Sequence, residues 1–356
     1  MPEHTRYSVA ALRTFAERIL VEAGLEPGEA ALLGESLIEA DLRGIGSHGL
    51  TRLRTYAQRV QTGVVQAGSV PRIVREAPGA LAVDGCNGAG VPVGVTVMDW
   101  CVERARTQGS CFATVCNGNH FGIGAFFTMR AARAGMIGLA MSNAPASMVP
   151  AGGKRPLLGT NPLSVAIPAG TSPPLVLDMA TSTVAQGKII LAAKEGATEI
   201  PGHWAVDENG QPTTDPQAAL RGAMLPFGGA KGYAIALIID VLCSALGGSA
   251  PSTGIHSFWD DFERPQNVGF FMGAWSIAHF MPLPEFHKRI DALFTTLKSS
   301  PPAPGFDEVC IPGEGEQRRA EQGRREGLAY APAVMADLSA LAQEYKVAFI
   351  EEGCDA

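Results

Sequence analysis

The sequence lacks the features by which exported, disulfide-bonded and nucleic-acid-binding proteins are usually recognised. Its seven cysteines are odd in number and include no C-x-x-C pair, which favours a reducing cytoplasm over a disulfide framework or a thiolate zinc site. Charges interrupt the apolar period of the N-terminus, so no export signal is predicted. No Lys/Arg run suits a phosphate backbone, and the formal net charge of -7 makes nucleic acid an unlikely partner.

Long apolar runs and metal-hydrolase motifs are also missing. The most apolar segment, residues 232–248, contains Asp240 and is shorter than the roughly 20 residues of a bilayer span. It predicts a buried helix rather than a membrane segment. H-E-x-x-H, a Walker loop and G-x-S-x-G are absent, and the acidic residues form no metal-ligand cluster, so no metal site is predicted.

The apolar spacing changes along the chain and predicts an α/β protein. Residues 8–61 have a helical period, whereas short strand-like runs separated by glycine and proline begin near residue 72. We predict a mixed-sheet domain over residues 75–305 and a helical domain built from residues 1–74 together with 306–356. Further helices are predicted at 91–108, 124–134, 232–247, 284–299 and 331–346, and a charged strip after residue 305.

The segment GIGSHG satisfies G-x-G-x-x-G through Gly44, Gly46 and Gly49. A dinucleotide fingerprint needs a strand before the first glycine and an acidic residue about 20 positions beyond it. The segment before Gly44 is helical in pattern instead, and no strand with a terminal acid follows. The glycine match therefore predicts a turn between two helices, not a nucleotide loop.

Ser47 is predicted to cap a helix that runs from His48 to about Gln61. On such a helix His48, Arg52 and Tyr56 share one face, which is distinct from the apolar face. One interpretation is a surface line of polar groups. The other is the wall of a cleft, in which a proton donor, a guanidinium for a carboxylate and a phenol lie side by side.

Three later positions carry groups suited to ligands. His120 follows a strand-like run and precedes a helix, where it is either structural or catalytic. Asp178 follows the apolar strand PLVL and would accept hydrogen bonds from a ligand or cap a helix that begins near Thr181. Lys231 lies at the glycine-rich start of an apolar helix, a place for an anion, with a Schiff-base role as the alternative. The connection 141–168, rich in Gly, Pro, Asn and Ser, either meets a ligand or is an ordinary loop.

These motifs, in this order, resemble the malate/L-lactate dehydrogenase family of type 2, whose members include ureidoglycolate, sulfolactate and diketogulonate oxidoreductases and cyclic imine reductases. The resemblance covers nearly the whole chain. It is carried by DLRGIGSHG, NHFGIGAF, GTNPLSVAIP, DMATS, HWAVDENGQPTTDP, PFGGAKGY and APGFDEVCIPGE.

The resemblance implies an oxidoreductase that uses NAD or NADP, a cofactor fold that is not of the Rossmann type, and a homodimer or larger homo-oligomer. His120 and His48 correspond to residues assigned to proton transfer, and we rank His120 as the acid/base and His48 as the partner that orients the substrate. Substrate-binding positions correspond to Ser47, Arg52, Tyr56 and Thr160. Cofactor-binding positions correspond to Asn161, Asp178, Met179, Ala180, Lys231, Gly232, Gly313, Glu314 and Gly315.

The expected reaction is hydride transfer between nicotinamide and a small 2-hydroxy or 2-oxo acid such as malate, lactate, sulfolactate or ureidoglycolate. The alternative is reduction of a cyclic imino acid, which presents a C=N bond beside a carboxylate in the same shape. A non-catalytic nucleotide-binding protein and a lyase based on Lys231 are the alternatives from other classes.

The chain departs from the family at Ser276, where relatives have an aspartate. Asn119, which precedes His120, favours a hydroxy acid over an imine.

Overall fold

The structure, a computed structural model, describes residues 5–349. Over these residues the helices are α1 Val9–Glu22, α2 Pro27–Leu42, α3 Leu53–Gln61, α4 Gly90–Gln108, α5 Ala125–Arg133, α6 Gln186–Lys194, α7 Pro216–Arg221, α8 Ala230–Asp240, α9 Leu283–Lys298, α10 Glu314–Glu326 and α11 Pro332–Glu344. The strands are β1 Arg6–Tyr7, β2 Arg72–Ala77, β3 Ala80–Asp84, β4 Ser110–Gly118, β5 Met136–Ser142, β6 Leu163–Ile167, β7 Leu175–Met179, β8 Ala205–Val206, β9 Pro212–Thr213, β10 Ala223–Met224, β11 Val268–Ser276 and β12 Leu328–Ala329.

A seven-stranded mixed sheet with the order β2-β3-β4-β11-β5-β6-β7 forms the centre of the protein. Only β3 and β4 run parallel, joined by the crossover helix α4, and the other neighbours are antiparallel. A Rossmann sheet is mostly parallel, so the predicted α/β class with a non-Rossmann sheet is confirmed. Helices α4 and α5 pack against the sheet.

Local sequence signals explain where several helices begin and end. The Ser8 hydroxyl accepts from the backbone N–H of Ala11 and caps α1, and α4 ends at Gly109, whose φ of 82° suits a glycine. Asp215 caps α7, which begins at Pro216. The predicted charged strip after residue 305 contains helix α10 instead, since its acidic first turn and basic last turn favour a helix on an exposed surface.

The two ends of the described chain pack together, as the sequence suggested. Strand β1 pairs with β12, and Arg54 of α3 contacts Asp337 of α11 at 2.7 Å. One buried cluster nevertheless continues from Leu12 of α1 to Met272 of β11. The division into domains at residues 74 and 306 therefore stays a prediction, and residues 1–4 and 350–356 of it lie outside the described part.

The apolar segment 232–248 is less buried than the sequence predicted. It forms α8 and a π-helical turn, Val241–Leu246, and no described helix is both long and apolar enough to cross a membrane. Ala236 and Ile239 are buried, but four apolar side chains of the segment are exposed: Leu237, Ile238, Val241 and Leu246. A helix that is apolar on all sides needs a packing partner on each side, and the described residues 5–349 supply one on one side only.

Candidate active site

The turn around Gly44–Gly49 differs from the prediction in one respect. Two short 3-10 turns, Gly46–His48 and Leu50–Arg52, replace the first turns of the expected helix, and α3 begins only at Leu53. Ser47 is not a helix cap, because its hydroxyl is 2.9 Å from Nδ1 of His48. The reason is that Asp41, at the end of α2, accepts the N–H of Leu50 at 2.9 Å and so takes the donor that a capping serine would have used.

Gly49 is required by this arrangement, and its replacement is expected to destabilise the protein. A Cβ at Gly49 would lie 1.8 Å from Oδ1 of Asp41, and the other oxygen of this carboxylate, Oδ2, accepts from the phenol of Tyr330. Gly49→Ala should lower the free energy of unfolding by about 1–3 kcal/mol, as overpacking does, in thermal or denaturant unfolding. Gly28→Ala is the matched control, since a Cβ there meets nothing within 4 Å. Equal stability of the two variants would contradict the contact.

The structure brings His48, Tyr56 and His120 together. The hydroxyl of Tyr56 is 2.5 Å from Nδ1 of His120, and the rings of His48 and His120 are stacked with centroids 5.5 Å apart. His120 lies just beyond the carboxyl end of β4, and the other two lie on the turn and helix that follow α2. Tyr56 is buried, so the surface-line interpretation does not describe this face, and the cleft-wall interpretation agrees with it.

Burial and neighbouring arginines keep both imidazoles neutral. Burial, and then the charge of Arg52, lower the pKa of His48 to about 4. The pKa of His120 is lowered well below its ordinary value, chiefly by burial and further by His48, Arg52 and Arg59. Burial raises the pKa of Tyr56, so the phenol stays protonated and can donate to or accept from Nδ1.

One edge of the Arg52 guanidinium is hydrogen-bonded within the protein, and the other edge is open to a ligand. Its Nε donates to the carbonyl oxygen of Ser47 at 2.5 Å, and its Cζ lies 3.8 Å from the centroid of the Trp259 ring. Among the described residues none accepts from Nη1 or Nη2. These two nitrogens form the fork that binds a carboxylate in bidentate fashion.

Sequence reasoning missed the residues that surround these groups, which come from segment 255–267. The side chain of Gln266 accepts the backbone N–H of His120 at 2.9 Å. The ring of Phe258 is stacked on His120 with centroids 4.6 Å apart. The signal available was the pair of adjacent aromatic residues Phe258–Trp259 in a loop rich in charged residues, in a chain with four tryptophans.

Backbone hydrogen bonds join the segments predicted to bind the cofactor. The N–H of Thr181 donates to the carbonyl of Thr160 at 2.9 Å, and the N–H of Phe227 donates to the carbonyl of Thr181 at 3.0 Å. The N–H of Val176 donates to the carbonyl of Pro312 at 2.9 Å. The predicted substrate position Thr160 and the cofactor positions Met179 and Ala180 therefore lie close to the segments that lead into α8 and α10. These two helix starts carry the remaining predicted cofactor positions, which are Lys231, Gly232, Gly313 and Gly315.

Asp178 does not cap a helix near Thr181, because the next helix, α6, begins only at Gln186. Its Oδ2 instead accepts the N–H of Ala125 at 2.8 Å, at the start of α5. Burial raises the pKa of this carboxyl to about 6. The contact ties the cofactor-candidate strand β7 to the segment that carries His120.

Two predicted cofactor residues use their side chains within the protein. Asn161 is fully buried, accepts from the N–H of Ala144 at 3.0 Å and donates to the carbonyl of Ala236 at 2.9 Å. Glu314 accepts from Lys298 at 2.7 Å and from the N–H of Ile311 at 3.1 Å. Both side chains hold the loops in place, so only their backbones are available to a ligand.

The two departures from the family pattern lie outside the histidine cluster. Ser276 is at the end of β11 that pairs with Met136, whereas the other end of β11 pairs with Gly118 near His120. At about 3.3 Å a residue, Ser276 is roughly 25 Å along the strand from that edge. Asn119 is buried, and its amide donates to Asn87 and Gly88 rather than facing the cluster.

One group of potential metal ligands does come together, which the sequence did not predict. Ligand atoms of Glu308, Cys310 and Glu314 lie within 4.8 Å of one another. Lys298 and Arg318 bind the two carboxylates, so positive side chains already balance the negative charge there.

Comparison with known proteins places this geometry among dehydrogenases. The model of the malate/L-lactate dehydrogenase family matches residues 7–339. The L-sulfolactate dehydrogenase of Methanocaldococcus jannaschii is 37% identical over 309 residues, 87% of this chain and 88% of that protein. The (2R)-3-sulfolactate dehydrogenase (NADP(+)) of Chromohalobacter salexigens is 36% identical over 94% of this chain and 97% of its own length. The ureidoglycolate dehydrogenase (NAD(+)) of Escherichia coli O157:H7 is 34% identical over 89% and 90%.

Solved structures agree with these similarities. Malate dehydrogenase from Pyrococcus horikoshii OT3 superposes with a TM-score of 0.90 at 32% identity and covers 98% of each chain. Delta1-piperideine-2-carboxylate reductase from Pseudomonas syringae pvar. tomato has a TM-score of 0.83 at 27% identity, over 95% of this chain and 99% of that one.

Proposed function

Because this chain belongs to the malate/L-lactate dehydrogenase family, we propose that it transfers a hydride between NAD or NADP and a small 2-hydroxy or 2-oxo acid. The chain is an oxidoreductase of the dehydrogenase type. The observation that carries the proposal is the cluster of His48, His120 and Tyr56 beside the open fork of Arg52. Such a cluster combines a carboxylate-binding group with a proton-transfer group, which a 2-hydroxy acid requires.

His120 is the proposed acid/base and Arg52 the proposed carboxylate ligand. When Nδ1–H of His120 donates to the Tyr56 oxygen, Nε2 keeps a lone pair and accepts the proton of a substrate hydroxyl. The imidazolium formed in this way carries a proton on both nitrogens, and its Nε2–H returns the proton to the substrate oxygen in the reverse direction. The same pair therefore serves oxidation and reduction. His48 packs against His120 and is held by Ser47, which suits an orienting role.

The residues around β7 suit a dinucleotide. Among the described residues the buried hydroxyl of Thr181 has no hydrogen-bond partner, and none lies within 4 Å of where a Cβ on Gly229 would be. Helix α8 begins beside them with the exposed Lys231 and no acid in its first turn, which favours a phosphate. Helix α10 has Glu314 and Glu316 in its first turn, which disfavours a phosphate at that helix. The bound nicotinamide would supply or accept the hydride.

A substrate panel tests the proposal. The purified protein is mixed with malate, lactate, sulfolactate or ureidoglycolate and NAD or NADP, and the corresponding oxo acids are tested with the reduced cofactors, while absorbance of reduced nicotinamide is followed. Turnover of at least one acid is expected, and turnover of none would overturn the proposal.

Trapping of a substrate on Lys231 by borohydride would instead support a lyase, although the exposed amine lacks the dry pocket that activates such lysines.

Reduction of a cyclic imino acid is the second candidate function. It is favoured by the structural similarity to the piperideine-2-carboxylate reductase. An imine beside a carboxylate would use the same fork on Arg52 and the same proton donor. Piperideine- and pyrroline-2-carboxylate therefore belong in the panel, and turnover of an imine but not of any oxo acid would establish this candidate.

The lowered pKa of His120 gives the reaction a distinctive pH dependence. Oxidation needs the neutral imidazole, so kcat/KM for the hydroxy acid should stay constant from neutral pH to below 6.5 and fall only as the pH drops through the lowered pKa. Reduction needs the protonated imidazole, so its kcat/KM should fall as the pH rises through the same value. Arg52→Gln should move the midpoint to higher pH because one positive charge is lost. A wild-type midpoint at or above 6.5 would contradict this prediction.

We also propose that a second copy of the chain covers the exposed face of α8, giving a homodimer. Leu237, Ile238, Val241 and Leu246 form an apolar surface of a kind that monomers rarely expose. Ile238→Asp should shift the protein toward monomer in sedimentation velocity. Val74→Asp, at a similarly exposed apolar residue on β2, is the control and should not. A wild-type monomer at micromolar concentration would overturn the proposal.

A further inference from the structure

The loop Ser257–Asp261 places two aromatic side chains on the proposed substrate site. Trp259 covers one face of the Arg52 guanidinium, with 3.8 Å between Cζ and the ring centroid. Phe258 packs against both His120 and Tyr56, with ring centroids 4.6 Å and 5.0 Å away. The two aromatic rings also contact each other edge to face at 4.6 Å. The loop therefore touches the proposed proton-transfer group and the proposed carboxylate ligand at the same time.

A buried arginine fixes the loop to helix α3. Arg59 is 1% exposed, and its Nη1 donates to the backbone oxygens of Ser257 at 3.3 Å and Asp261 at 2.6 Å. Arg52 directly precedes α3 and Tyr56 lies on it, so Arg59 fixes the position of the loop relative to both residues. The Asp261 carboxylate closes the loop by accepting from the N–H of Glu263 and Arg264.

Stacking on Trp259 determines how Arg52 can meet a ligand. A guanidinium donates hydrogen bonds in its own plane and attracts an aromatic ring through its face. With Nε held by Ser47 and one face covered by Trp259, the plane is set and the Nη1–Nη2 edge is left open. Trp259 is 42% exposed, so it forms an outer wall and is not part of the hydrophobic core.

We propose that Trp259 is a positioning residue that holds the Arg52 guanidinium in the plane required for bidentate binding of the substrate carboxylate. This inference rests on the proposed function, since it assigns the same site a further residue. Losing a cation–π contact of this kind weakens binding roughly fivefold. Phenylalanine keeps an aromatic face and should restore most of the affinity, whereas a general loss of packing would lower kcat along with binding.

The test compares wild type, Trp259→Ala, Trp259→Phe and Trp275→Ala. Trp275 is a control tryptophan near the opposite end of β11, where it packs on Phe112. Calorimetry measures the Kd of oxalate, an unreactive analogue of a 2-oxo acid, in the presence of NADH or NADPH. Steady-state kinetics on the best acid of the panel gives KM and kcat. We expect Trp259→Ala to raise Kd and KM roughly fivefold with kcat within about twofold, and the other two variants to stay near wild type.

The outcomes separate this inference from the proposed function. Oxalate binding that depends on Trp259 in a protein that oxidises or reduces none of the acids would uphold the positioning role and overturn the function. Turnover of an acid with Kd and KM unchanged in Trp259→Ala would do the reverse. A wild type that fails to bind oxalate, or Phe and Ala variants that weaken binding equally, would overturn the positioning role.

Discussion

Replacement of His120 by alanine should lower kcat by about 10²–10⁴-fold in both directions, because it removes the proposed general acid/base. The structure supports His120 over His48 in this role. Nδ1 of His120 is hydrogen-bonded to the Tyr56 hydroxyl, which can act as donor or acceptor. No described residue is hydrogen-bonded to Nε2. His48→Ala should therefore reduce kcat less than His120→Ala does. Single-turnover measurements with each variant would separate hydride and proton transfer from product release.

The controls distinguish a catalytic loss from misfolding. His279→Ala removes an exposed histidine beside Gly109, at the end of the central strand β11 that lies away from the site, and should leave kcat unchanged. Binding of NADH or NADPH to His120→Ala, followed by fluorescence, should remain close to that of wild type. If His120→Ala keeps kcat nearly intact while His48→Ala abolishes it, the two roles are reversed.

The second large effect is expected at Arg52. Removing one partner of a desolvated carboxylate pair costs roughly 2–5 kcal/mol, so Arg52→Ala should mainly raise KM for the acid. Arg52→Lys should recover only part of this loss, because an ammonium has neither the fork nor the planar face that Trp259 covers. KM for the acid, measured at saturating cofactor, is the quantity to compare.

Arg54 provides the matched control, since it lies two residues further along the chain. Its guanidinium binds Asp337 and Glu344 of the C-terminal helix, away from the histidine cluster. Arg54→Ala should leave KM unchanged and reduce stability by less than about 1 kcal/mol, because the ion pairs lie at the surface and are partly exposed. An unchanged KM in Arg52→Ala would remove Arg52 from the substrate site.

Much of the fold was predictable because a helix, or an edge strand that pairs with the next strand along the chain, is stabilised by residues that are close in sequence. The predicted helices at 91–108 and 284–299 agree with α4 and α9 within a residue at each end. The central strand β11 was missed, because it pairs with β4 and β5, which lie more than 120 residues earlier. Its nine residues are mostly buried on both faces, so they show no alternation that would indicate a strand.

The sequence by itself determined which groups the site contains: His48, Arg52 and Tyr56 at a helical spacing, His120 after a strand, and the glycine-rich turns near Asp178 and Lys231. Only the tertiary structure decided how these groups act. Asp41 displaced Ser47 as the cap, and a loop more than 190 residues beyond α3 placed Phe258 and Trp259 against His120 and Arg52. The physical reason is that folding decides which partner lies close enough for a hydrogen bond or an aromatic contact. Spacing along the chain specifies only which residues are neighbours within one helix or strand.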